Sequence, residues 1–98
     1  EKYIIFSGIG NPESFKQTLL ENRLNIVKEF IFPDHYKYTI NDINKIKLQA
    51  KILNAKILTT EKDYVRINSD QKKNINFLQI EINIKEENKL IEYLKLYI

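Results

Sequence analysis

The feature that most limits what this chain can become is an alternation that runs along its whole length. Short apolar runs of strand length are separated by segments with helical spacing. The runs are "YIIF" (3–6), "NIVKEFIF" (25–32), "AKILTT" (55–60) and "INFLQIEI" (75–82). Each is rich in β-branched and aromatic residues, as strands are. Helix-start signals follow the first three. Asn11 can cap a helix whose first position is Pro12, and Phe15 and Leu19 give it an apolar stripe. Thr39 and Asp42 form a T-x-x-D capping box ahead of Ile43, Ile46, Ala50 and Leu53. Thr60 and Asp63 repeat the box and open a short helix to about Ile67. A last helix is expected over 86–97, with Leu90, Leu94 and Tyr97 on one face. Strands alternating with helices predict βαβ units. The expected fold is α/β: one small, Rossmann-like, three-layer domain over 1–98, with a mainly parallel four-stranded sheet in the order 2-1-3-4.

Composition removes whole classes of function. With no cysteine there is no disulfide framework, Cys-ligated zinc or thiol nucleophile. The net charge of +3 comes from 16 basic and 13 acidic residues spread along the chain. A nucleic-acid binder concentrates its basic charge, so no nucleic-acid partner is expected. No apolar run approaches the roughly 20 residues of a membrane span, and no secretory leader is visible. The chain starts at Glu1 and contains no methionine, so a processed product or an excised piece, itself soluble, is expected. Neither a Walker A loop nor a serine nucleophile elbow is present, and no HExxH motif occurs.

In an open parallel sheet, ligands bind beyond the carboxyl ends of the strands. Three polar loops belong there: "SGIGNP", "PDHYKYT" and "TTEKD". Gly8 and Gly10 partly match a dinucleotide fingerprint, but Glu13 stands where a third glycine belongs, and its charge repels a pyrophosphate. The ordinary reading is a tight turn whose glycines permit unusual backbone angles. His35, the one histidine, can serve as base, orienting group or metal ligand, or can be a plain loop residue. Asp34 precedes it, but neighbours in sequence usually point apart. In "TTEKD", Lys62 suits a phosphate, and Glu61 or Asp63 suits a metal ion. Capping alone accounts for Thr60 and Asp63 but leaves Lys62 unexplained. No complete metal site is legible.

Taken in order, the three loops are similar to a known family. "FSGIGNPESF" fits F-x-G-I-(A/G)-x-P-x-x-F, "FPDHYKYT" fits F-x-D-H-x-x-(Y/F)-(T/S), and "LTTEKD" is the third family motif. The set resembles the C-terminal domain of the tetraacyldisaccharide 4'-kinases, the lipid A 4'-kinases, over essentially the whole chain. The resemblance implies transfer of the ATP γ-phosphate, with magnesium, to the 4'-hydroxyl of tetraacyldisaccharide 1-phosphate in lipid A synthesis. It implies work at the cytoplasmic face of the bacterial inner membrane, where an N-terminal P-loop domain holds ATP and supplies the membrane contact. By motif match His35 becomes the catalytic histidine, assisting an N-terminal aspartate. Gly8, Gly10, Asn11, Asp34, Thr59, Thr60, Glu61, Lys62 and Asp63 become the binding candidates beside it. Without the P-loop domain the 98 residues are expected to be inactive. The alternative is a stand-alone module that binds a nucleotide or phosphosugar.

Overall fold

The computed structural model describes residues 1–79 and 95–97. Strand β1 (Lys2–Ser7) leads through the glycine turn to helix α1 (Pro12–Glu21). Strand β2 (Asn25–Ile31) is followed by helix α2 (Ile40–Leu53), and β3 (Ala55–Thr60) by the short helix α3 (Glu61–Tyr64). A 3-10 turn at Ser69–Gln71 leads to β4 (Ile75–Gln79), and β5 (Lys95–Tyr97) completes the sheet.

The strand order is β2-β1-β3-β4-β5. The first four strands run parallel in the expected order 2-1-3-4, and β5 adds an antiparallel edge through pairs such as Leu78 with Leu96. This edge corrects the expected terminal helix at its end: residues 95–97 are strand, and 86–94 lie outside the described residues. The open edge of β4 offers a row of unpaired N–H and C=O groups, which favours pairing over helical spacing. The expected end of the fourth strand, 80–82, also lies outside the described residues.

Burial explains why β1 reads as an unbroken apolar run. It is buried on both faces, from Tyr3 to Ser7. Ile4 and Phe6 pack on one side with Ile43, Ile46 and Ala50 of α2 and with Ile57, Ile67 and Ile75. Tyr3 and Ile5 pack on the other with Phe15 and Leu19 of α1 and with Leu58 and Leu78. Helices therefore cover both faces, giving three layers. Each fully buried aliphatic or phenylalanine side chain contributes roughly 1.5–3 kcal/mol before ordering costs.

The signals of the first two helices act as expected, whereas α3 ends at Tyr64, short of the expected Ile67, and its Thr60–Asp63 box closes on one side only. The Asn11 side chain accepts from Ser14 N–H, and Pro12 occupies the first turn of α1. Thr39 and Asp42 complete a reciprocal capping box, with bonds of 3.1 and 2.9 Å. Asn54 ends α2 in the left-handed conformation, at φ 53°. The stripe at Phe15 and Leu19 and the stripe at Ile43, Ile46 and Ala50 are buried. Because β1 lies between β2 and β3, the loops that leave these three strands share one sheet edge.

Candidate functional site

Gly8 and Asp63 tie the three loops together. The Gly8 N–H donates to Asp63 Oδ1 at 2.9 Å. The Gly8 carbonyl accepts from His35 N–H at 3.1 Å and from Arg66 Nη1 at 3.1 Å. One glycine thus binds both neighbouring loops through its backbone. Phe32 N–H adds a 2.8 Å bond to the Ser7 carbonyl, so the second loop leaves β2 pressed against the first.

Space, not backbone angle, is why position 8 is glycine. Neither glycine has a positive φ, which corrects the expectation of unusual angles in this turn. A Cβ on Gly8 would stand 2.9 Å from the Pro33 carbonyl and 3.1 Å from the Tyr38 hydroxyl. The close approach of two loops demands a residue without a side chain. Gly10 faces Asp34, whose Oδ2 would lie 3.5 Å from an added Cβ, an ordinary contact.

Asp63 is fully buried, and both of its carboxylate oxygens accept hydrogen bonds. Oδ1 accepts from Gly8 N–H and from the Tyr38 hydroxyl at 2.9 Å, and Oδ2 accepts from the Thr60 hydroxyl at 2.6 Å. The Arg66 guanidinium stands 3.8 Å from Oδ1. Burial, followed by the nearby Asp63 charge, pushes the Tyr38 hydroxyl far above its ordinary pKa, so it remains a proton donor to Asp63. Tyr38 also packs edge-on to Phe6 and Phe32, which fixes its ring. Thr60, not Asp63, therefore caps α3, and the Asp63 carboxylate is engaged inside the fold instead of closing the expected capping box.

His35 is presented outward from this clasp. Its backbone is left-handed at φ 60°, and its side chain is 81% exposed. The left-handed turn brings the ring beside its own neighbour: Nε2 lies 3.6 Å from Asp34 Oδ2. Asp34 and His35 therefore share one side of the loop, contrary to the expectation from adjacency. The other ring nitrogen, Nδ1, is 3.2 Å from Arg66 Nη2. Sequence reasoning passed over Arg66. Its partners Gly8 and His35 lie 58 and 31 residues away, so nothing in the local sequence singled it out.

The remaining candidates separate into two groups. Thr59 is fully buried and donates to the Phe6 carbonyl at 2.7 Å, so its hydroxyl serves the sheet. Thr60 is nearly buried and serves Asp63. Asn11 caps α1. Glu61 and Lys62 do not join His35. With Gly10, Asn11 and Thr60 they line a cleft of about 650 Å³ between α1 and α3. Among the described residues, no group of three metal-ligating side chains stands together.

The glycine turn does not offer its Gly8 N–H to a nucleotide phosphate. The Gly8 N–H that would cradle it is committed to Asp63, and Glu13 adds negative charge in the first turn of α1. No helix among the described residues is long and apolar enough to cross a membrane.

Comparison with known proteins finds named relatives. A protein from Pelagibacter ubique (strain HTCC1062), named tetraacyldisaccharide 4'-kinase, is 42% identical over 96 residues, covering 94% of this chain and 31% of the relative. A tetraacyldisaccharide 4'-kinase from Rickettsia bellii (strain OSU 85-389) is 47% identical over 92 residues, covering 94% of this chain and 28% of the relative. The chain thus spans less than a third of the length of these curated relatives. No solved structure matches. The sequence pattern described as tetraacyldisaccharide-1-P 4'-kinase matches residues 1–98, the same stretch that supplies the Gly8–Asp63 clasp and its outward histidine. On that match, the chain belongs to the tetraacyldisaccharide-1-P 4'-kinase family.

Proposed function

We propose that this chain is the C-terminal part of a lipid A 4'-kinase. The parent enzyme transfers the γ-phosphate of ATP to the 4'-hydroxyl of tetraacyldisaccharide 1-phosphate at the cytoplasmic face of the inner membrane. One observation carries the reading: the histidine within "FPDHYKYT" is an exposed, left-handed His35, held where the three polar loops meet. Phosphoryl transfer needs positioning and charge compensation more than covalent chemistry. A domain with one rigidly mounted histidine can complete a site whose phosphate cradle lies elsewhere.

ATP and its magnesium ion belong to a P-loop domain N-terminal to this segment, since the glycine turn here has spent its Gly8 N–H. The same observation weighs against a stand-alone nucleotide-binding module. His35 assists the carboxylate that activates the acceptor hydroxyl, and Asp34 and Gly10 shape the wall beside it. Lys62, in its separate cleft, is placed for an anionic group of the substrate and not for the transferred phosphate.

The test is ATP-dependent phosphorylation of tetraacyldisaccharide 1-phosphate. A full-length protein carrying these residues behind a P-loop domain is expected to turn over, and the 98-residue chain alone is not. Turnover by the isolated chain, or none by the full-length protein, overturns the reading.

A further inference from the structure

Arginine only donates hydrogen bonds. The 3.2 Å contact between Arg66 Nη2 and His35 Nδ1 therefore requires Nδ1 to accept. The single ring proton must then sit on Nε2, the nitrogen that faces Asp34 at 3.6 Å. Arg66 is itself held. Its Nη1 donates to the Gly8 carbonyl, its charge faces the fully buried Asp63, and its side chain is only 24% exposed. The guanidinium fork thus reaches His35 from a fixed base.

We infer that Arg66 is a positioning residue that holds the His35 ring with Nδ1 accepting and a proton on Nε2, so that His35 works as a hydrogen-bond donor to a carboxylate and not as the proton acceptor. This rests on the kinase reading only for the identity of that carboxylate. Nδ1 is committed behind the ring, and Nε2–H lies on an exposed side chain, 3.6 Å from Asp34 Oδ2 and beyond hydrogen-bond reach of it, which leaves it able to donate to a further carboxylate. A histidine so held orients the carboxylate base, and the base takes the proton of the acceptor hydroxyl. The division of labour matches a general rule for histidine: the partner of one ring nitrogen decides what the other can do.

The lone histidine makes the test direct. Long-range proton–nitrogen spectra of the uniformly labelled 98-residue chain report the tautomer without ambiguity of assignment. The expected wild-type spectrum shows Nδ1 unprotonated and Nε2 protonated. Arg66→Met is expected to give a mixture of tautomers, and Arg66→Lys to retain part of the preference. A wild-type spectrum with the proton on Nδ1, or an unchanged tautomer in a folded Arg66→Met chain, overturns the inference. Should Arg66→Met fail to fold, the wild-type tautomer and the Lys variant decide. Turnover adds a second readout in the full-length enzyme. Glutamine places an N–H near the position of Nε2, so His35→Gln is expected to retain roughly 10-fold more kcat than His35→Ala, a gain consistent with one retained hydrogen bond. Equal loss in the two variants overturns the donor role. Unchanged turnover in His35→Ala would instead remove the kinase role of His35, leaving the tautomer spectrum to judge Arg66 on its own.

Discussion

His35 occupies a backbone region that a non-glycine residue enters at a cost of about 1–2 kcal/mol. Its exposed ring recovers little of that through packing. Replacing it with glycine removes the steric cost, so His35→Gly is expected to stabilise the fold by about 1 kcal/mol in chemical denaturation while removing the proposed catalytic group. A less stable His35→Gly chain would show that the left-handed turn carries no strain. Tyr38 makes a pH prediction. Its folded pKa is raised above the ordinary value of about 10, chiefly by burial, so its contribution to stability is complete below about pH 10. That contribution is lost progressively as pH rises beyond this point. Tyr38→Phe is expected to flatten the alkaline loss of stability. It is also expected to cost about 1 kcal/mol at neutral pH, because Asp63 loses a donor. Equal alkaline slopes for the two proteins, measured by denaturant midpoints, would contradict the assignment.

Among the elements, α2 shows how sequence signals become stability. Thr39 and Asp42 satisfy two otherwise free N–H groups at its start. Burial works against the Asp42 carboxylate, but hydrogen bonds from the Thr39 N–H, the Tyr36 hydroxyl and the Thr39 hydroxyl outweigh it and hold its pKa below the usual value. Thr39→Ala is expected to lower stability by about 1 kcal/mol, read as a reduced denaturation midpoint. The turn after β1 is less forgiving. Gly8→Ala drives a methyl against the backbone carbonyl of Pro33, and a loss of about 1–3 kcal/mol is expected. Caps, stripes and the parallel strand order were legible because they depend on neighbours in sequence and on alternating periods. The reason for Gly8 was not, since it lies in a contact with Pro33 and Tyr38 that only the folded loops create. Arg66 was missed for the same reason: its partners, Gly8 and His35, are 58 and 31 residues away. The strand at 95–97 lay hidden beneath helical spacing, because an open sheet edge is a property of β4 and not of "KLY".

On the scale of the whole molecule, a small three-layer domain brings one buried carboxylate, one arginine and one histidine to a common sheet edge. The fold spends Asp63 and Gly8 on the clasp and leaves His35 facing outward. Such a domain offers a positioned group, and under the proposed function the nucleotide-binding half of the site belongs to the rest of the parent enzyme. That division is consistent with a chain that covers 28–31% of its kinase relatives. The proposed function depends on the exposed ring reaching the reacting groups, and one measurement bears on it most directly. It is kcat for ATP-dependent phosphorylation of tetraacyldisaccharide 1-phosphate by the full-length enzyme, with and without His35→Ala. A fall of roughly 10- to 1000-fold with an intact fold is the expected result for a residue that assists proton transfer, and an unchanged kcat would contradict the account.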